Sequence, residues 1–250
     1  MELILETLGL AESAQLLSLS APGWGANLLR GLANSLKIAF GAFGFGVLIG
    51  LFGAYGKLYG GPVIRDLLAI YTTVIRAVPE LVLILILYYV GTDLINKAAG
   101  AMGYGRIEIS GVVAGIWVLG IVQGAYSIEV LRGAIQAVPP GQIEAARAYG
   151  MPAFMTMRRV TIPAMMAFAT PGLANLWLIA TKDTALLAIV GFSELTLETR
   201  QAASSTRAYF TFFLAAGGLY LMVTLCSGVV FGWIEKWARR GQPSLREGRG

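Results

Sequence analysis

Residues 75–90 read IRAVPELVLILILYYV. The ten residues from Leu81 to Val90 are oily enough for a membrane interior, yet Arg76, Pro79 and Glu80 stand just before them. The stretch is too apolar for a loop. It is also too short to cross a bilayer alone, since a spanning helix needs about 20 residues. Joining Leu67–Ile75 to Leu81–Thr92 through the polar break gives a span over about 67–93. The number of crossings, and which termini share a face, hang on that reading.

Elsewhere the spans are plainer. The chain has 250 residues, of which 56% are hydrophobic and 13% charged, with a mean hydropathy of +0.70. Soluble domains carry about 25% charged residues, so this composition belongs to a membrane protein. Charge-free runs extend over Ile38–Gly56, Ser110–Ile128, Val160–Thr181 and Ala208–Ile234. Spans are therefore expected at about 33–56, 67–93, 109–131, 162–182 and 208–235. The expected fold is an all-α membrane protein with five transmembrane helices (31–238), an N-terminal segment (1–30) and a short tail (239–250). The opening residues carry acids where a cleaved leader needs bases, so no cleavable targeting segment is expected.

Lys and Arg set the direction. Five spans put the termini on opposite faces. The C-terminal side then holds eleven of the bases, among them Arg132, Arg147, Lys236, Arg239 and Arg240, against seven on the other side. Trp233 and Trp237 form an interfacial belt beside the basic tail. The N-terminus is thus expected outside and the C-terminus in the cytoplasm. The net charge of +5 is spread over short loops and reads as orientation in the membrane, with no nucleic-acid partner.

Catalytic signatures are absent from the sequence. There is no histidine, and the single cysteine, Cys226, lies in an apolar run. No P-loop, HExxH or GxSxG sequence occurs, and no metal cluster is seen. GFGVLIG (44–50) carries Gly46 and Gly50 at GxxxG spacing inside a span, which reads as close helix packing.

The cytoplasmic loop 132–163 contains IEAARAYGMP (143–152). A break is expected at Pro139, Pro140 and Gly141, then a helix over Gln142–Tyr149. Glu144 would sit near its positive end, Gly150 at its C-cap, and Pro152 beyond it. Ala145, Ala146 and Ala148 leave almost no side chain on it. By composition alone this is either a loop helix on the lipid surface or a docking knob for another protein.

The spacing Glu144-Ala145-Ala146, three residues, Gly150, nine residues, Val160, one residue, Ile162-Pro163 resembles the EAA loop of bacterial ABC importer permeases. Val160 and Ile162 replace that family's usual Ile and Leu. YTTVIRAVPELVLIL (71–85), GAYSIEVLRGAI (124–135) and TKDTALLAIVG (181–191) are similar to segments of its polar amino acid branch, with Ala77 and Ala185 departing from the usual Gly and Ser. The resemblance covers about residues 30–240 and is strongest to the permeases for histidine, arginine/ornithine and opines. It implies the type I ABC importer permease fold, in the bacterial inner membrane. It further implies a non-catalytic subunit without a cofactor, ATP being used by two copies of a separate ATPase. Glu144, Ala145, Ala146, Arg147, Gly150 and Pro163 would couple to that ATPase. A periplasmic amino acid-binding protein and a second permease, a paralogue or another copy of the same chain, would complete the complex. An ATP-independent carrier or a scaffold is the alternative.

Charges at membrane depth point to a path or to a partner. Arg76 and Glu80 are four apart and would share a helix face and pair, or else meet a substrate. Pro79 between them would free a backbone carbonyl. Glu129 and Arg132 read first as a structural pair, with Glu129 otherwise a residue of the substrate path. Asp183, beside Lys182, either lines the path or anchors a helix end.

Overall fold

The computed structural model describes residues 10–240, and the regular elements among them are all helical, with no strand. The elements are α1 (Leu10–Leu16), α2 (Gly25–Tyr59), α3 (Pro62–Ala77), α4 (Glu80–Ala101), α5 (Gly111–Gln136), α6 (Pro140–Ala148), α7 (Ala153–Thr156), α8 (Ile162–Asp183), α9 (Leu195–Thr206) and α10 (Tyr209–Ala238). A π turn over Met157–Thr161 joins α7 to α8, and a 3₁₀ stretch over Thr184–Val190 follows α8. Five segments are long and apolar enough to cross a membrane: Gly25–Tyr59, Glu80–Ala101, Gly111–Gln136, Ala153–Val190 and Tyr209–Ala238.

The second span departs from the expected 67–93. Val78 is extended (φ −95°, ψ 139°) and ends α3 at Ala77. The cause is local: the residue before a proline is pushed out of the helical region by the ring of Pro79. Pro79 then caps α4, which begins at Glu80. So Leu67–Ile75 belongs to a separate 16-residue helix, and the crossing starts at the acid itself. Other ends shift too. α2 already starts at Gly25, inside the segment assigned as N-terminal, and α5 runs through Arg132 to Gln136. The Gly60-Gly61-Pro62 turn divides α2 from α3, with Pro62 at the first helical position, where its missing N–H costs nothing.

The core is a seam between α2 and α5. A Cβ on Gly46 would lie 2.8 Å from Gln123 Cβ, and one on Gly50 would lie 2.4 Å from Ser127 Cβ. Both distances are shorter than packed side chains allow, so glycine is what lets these backbones meet. In a membrane such approach replaces the hydrophobic drive that lipid removes. The side chains of Gln123 and Ser127 are buried in this seam without a hydrogen-bond partner among the described residues. α8 joins through Gly172, where a Cβ would strike Val130 of α5 at 2.6 Å. Leu131, Ala134, Met165, Ala169, Leu173 and Leu176 fill the space between α5 and α8.

At the end of the bundle away from the 137–161 loop, Glu194 ties three helices. It caps α9, accepting from Leu197 N at 2.7 Å and Thr196 N at 2.9 Å. Ser35 of α2 and Tyr220 of α10 each donate to Oε2 at 3.3 Å. The carboxyl is fully buried. Burial pushes its pKa above the ordinary 4.5, outweighing the hydrogen bonds that pull it down. A raised folded value means the folded state holds the proton more tightly than the unfolded one. Its stabilising effect is complete below the unfolded value and is lost as pH rises through the higher folded value. Relative to Glu194→Gln, the wild-type melting temperature should therefore fall as pH is raised from below 4.5 toward neutral. Thermal unfolding of both proteins in detergent checks this; parallel curves would refute it.

Candidate functional site

Two groups of residues carry the chemistry. The first is the short helix α6. Pro139 caps it, Pro140 opens it, and Tyr149 closes it. Gly150 takes φ +77°, and the carbonyls behind it are closed in a Schellman pattern. Gly150 N donates to Arg147 O at 2.9 Å and Met151 N to Ala146 O at 3.1 Å. Only glycine adopts that φ without strain, so the stop is written into the sequence.

Two expectations for α6 need correction. Glu144 is not in the first turn, which holds no acid, because Pro140 and Gly141 belong to the helix. Proline suits the first helical position, where no N–H is required, so the helix starts at Pro140, two residues earlier than a break over Pro139–Gly141 would allow. Nor is Ala146 a clearance for a partner: it is 5% exposed and faces the body of the protein. Its small side chain seats α6 on its own subunit. Beneath α6, Ile143 and Arg147 border a cavity of about 90 Å³ with Tyr55 and Tyr59 of α2 and Thr161 and Met165 beyond the loop. The outward face is Glu144, Ala145, Ala148 and Tyr149, all exposed. Tyr149, at 87% exposure, and Phe154, at 69%, are aromatic rings left uncovered by this chain, and the EAA spacing does not single them out. Their signal was present, since both flank the Gly150-Met151-Pro152 turn.

Pro163 lies exposed in the first turn of α8, just after the π turn. Proline offers no N–H to the preceding carbonyls and its ring crowds them, and the wider turn precedes it directly. The loop is thereby joined to α8 as one continuous helical rod from Ala153.

The second group gathers where α3 breaks from α4. Arg76 is in the last turn of α3, and Glu80 is the first residue of α4. The break means they do not share one helix face, and no ion pair forms between them. Glu80 instead accepts from the Tyr126 hydroxyl of α5 at 3.3 Å. Asp183, the last residue of α8, is 9% exposed, and its carboxyl lies within electrostatic reach of that of Glu80. Arg76 and Asp183 both lie within electrostatic reach of the Tyr126 hydroxyl. Four helices thus bring two acids, one base and a phenol to one place. Tyr126 was missed because a tyrosine in an apolar run has no helical-face signature of its own.

Glu129 stands apart from this group. Lys57 Nζ of α2 meets Oε1 at 2.6 Å, and Arg132 meets Oε2 at 2.9 Å. Lys57 also donates to Thr72 of α3 at 2.8 Å. The expected pair with Arg132 is present, and a second cation completes it. Lys57 lies 72 residues away in sequence, so spacing gave no hint of it. With both oxygens held, Glu129 serves as a tie between α2, α3 and α5.

Among the described residues no group of His, Cys, Asp and Glu has the makings of a metal site.

Comparison with known proteins agrees with this architecture. The family described as binding-protein-dependent transport system inner membrane components matches residues 46–240. The nopaline transport system permease protein NocQ of Agrobacterium fabrum is 41% identical over 221 residues, covering 88% of this chain and 94% of its own. The histidine/lysine/arginine/ornithine transport system permease protein HisQ of Escherichia coli is 39% identical over 214 residues, covering 86% and 94%. A crystal structure of an amino acid ABC transporter with histidines superposes at a TM-score of 0.71 with 33% identity, over 85% of this chain and 94% of that one.

Proposed function

Because this chain belongs to the inner membrane components of binding-protein-dependent transport systems, and is the permease subunit of an ABC importer, we propose that it moves basic L-amino acids or the related opines into the cytoplasm. The observation that carries this reading is the Glu80–Asp183 pair. Two carboxyl groups held together in an apolar bundle repel each other, and a cation placed between them relieves that repulsion. An arginine, ornithine, lysine or histidine side chain brings such a cation. Relatives whose names include these amino acids and nopaline support the assignment.

The rest of the proposal follows from the family. ATPase and binding-protein partners are implied by membership. We place α6 in a cleft of the ATPase, with Glu144, Ala145, Arg147 and the turn at Gly150 at or beside the contact. The turn at Gly150 joins α6 to the rod that runs from Ala153 into α8, so the loop can move the span that carries Asp183. ATP binding that favours one state of the ATPase pair would then shift the spans with it, which is coupling in the thermodynamic sense. A paralogous permease completes the pore, the N-terminus faces the periplasm, and ATP is hydrolysed only by the partner. Pro79 and Arg76 border the path, Arg76 as the base of the cluster.

The test is uptake by the complete complex reconstituted in vesicles with ATP inside and binding protein outside. Arginine should accumulate and glutamate should not, and accumulation should stop with a non-hydrolysable ATP analogue. Equal uptake of arginine and glutamate would overturn the substrate assignment.

A further inference from the structure

An apolar groove of about 590 Å³ opens to the lipid side between α2 and α10. Phe40, Phe43 and Gly44 line one wall; Met222, Cys226 and Phe231 are among those lining the other. Its floor is Trp177 of α8, whose indole N–H donates to Ser227 Oγ at 2.7 Å, so that the one polar ring atom is already used. Nothing lies within 4 Å of where a Cβ on Gly44 would be, so the opening is left unfilled by α2 itself.

The dimensions indicate what fills it. Along α10 the groove runs from Met222 to Ile234, which at 1.5 Å per residue is about 18 Å. One leaflet of a hydrocarbon core about 30 Å thick is close to that length. A second apolar groove, about 400 Å³, occupies the other half of the same α2–α10 face and meets the first at Met222. Met222 stands near the middle of Tyr209–Ala238. Two grooves that meet at mid-depth, the longer about one leaflet in length, suit two acyl chains, one from each leaflet.

Charge identifies the headgroup for the longer groove. Below Ile234, Trp233 and Trp237 are exposed at the level of an interface. Lys236 and Arg240 are exposed in the final turns there. Arg239 is engaged by Glu235 at 2.9 Å, whereas Lys236 and Arg240 have no ion pair among the described residues. Basic residues beside a span attract anionic lipid.

We propose that this groove is a binding site for an anionic phospholipid of the leaflet on the α6 side, its acyl chain along Phe40, Phe43 and Cys226 and its headgroup at Lys236 and Arg240. The site is separate from the Glu80–Asp183 cluster and independent of which substrate is carried.

The test uses the complete complex in vesicles of phosphatidylcholine containing phosphatidylglycerol with a photoreactive group at the end of its acyl chain. Labelling should map to the stretch around Met222 and Cys226. Gly44→Leu, which fills the groove at a position with free space and raises helix propensity, should remove most of that labelling while leaving the helical circular dichroism unchanged. Lys236→Glu with Arg240→Glu should keep labelling by a phosphatidylcholine probe but cut the preference for phosphatidylglycerol roughly tenfold, given the attraction each basic residue exerts near an anionic surface. Labelling unaffected by Gly44→Leu, or no preference between the two lipids in the wild type, would overturn the proposal. So would efficient cross-linking of Cys226 to a second permease subunit, which would give the groove to a protein.

Discussion

Glu144→Lys is expected to cut ATP-driven uptake by about tenfold or more without lowering the amount of permease in the membrane. The side chain is exposed in the middle of α6 and makes no ion pair among the described residues, so the packing of α6 does not depend on it. Reversing a charge at a docking surface leaves like charges facing, and the loss then shows in the partner contact. Gly150→Arg should act on the same step by another route. It keeps the open space around Gly150 but forces a side-chain-bearing residue to φ +77°, which costs on the order of 1–2 kcal/mol and loosens the turn. Co-purification of the ATPase and uptake, measured together, read both variants. An intact complex with normal uptake in Glu144→Lys would move the coupling element elsewhere. Reduced uptake with a bound ATPase in Gly150→Arg would mean that the turn transmits motion and does not hold the partner.

The sequence shows some of this plainly and hides the rest for physical reasons. Spans announce themselves because lipid demands long apolar runs, and the GxxxG pair announces the α2–α5 seam because only glycine tolerates such approach. The turn at Gly150 is legible because positive φ and a following proline leave few alternatives. The break at Val78 was also available, since Pro79 forbids the helical conformation one residue earlier; the pull of a complete 20-residue span hid it. Contacts between helices are different. That Lys57 reaches Glu129, that Ser35 and Tyr220 converge on Glu194, and that Tyr126 meets Glu80 depends on helix rotation and crossing, to which residue spacing in one helix is blind. Ala146 shows the same limit within the motif itself. Its small size is visible in the sequence, but whether smallness serves a partner or the subunit's own packing is decided by which way α6 is turned.

Replacing both members of the acidic pair should separate cargo from machinery. Glu80→Gln with Asp183→Asn removes two carboxylates and keeps their shape and most of their hydrogen-bonding capacity. If the pair holds the cationic end of the substrate, arginine uptake should fall by about tenfold or more, since a charged hydrogen bond is worth roughly 1.5–3 kcal/mol. Binding of arginine by the separate binding protein, and ATPase docking through α6, should not change. Glu80→Gln alone should act more weakly, because Asp183 remains opposite it and Tyr126 retains a hydrogen-bond acceptor at 3.3 Å. Tyr126→Phe distinguishes the two possible uses of the cluster. Should the phenol only steady Glu80, Tyr126→Phe would alter uptake little when Glu80 is already glutamine, whereas a direct contact with substrate would make the two losses add. Arginine transport equal to wild type in the double acid variant would strip Glu80 and Asp183 of a role in selecting cargo. It would leave Asp183 as the group that ends α8, and specificity would rest with the binding protein alone.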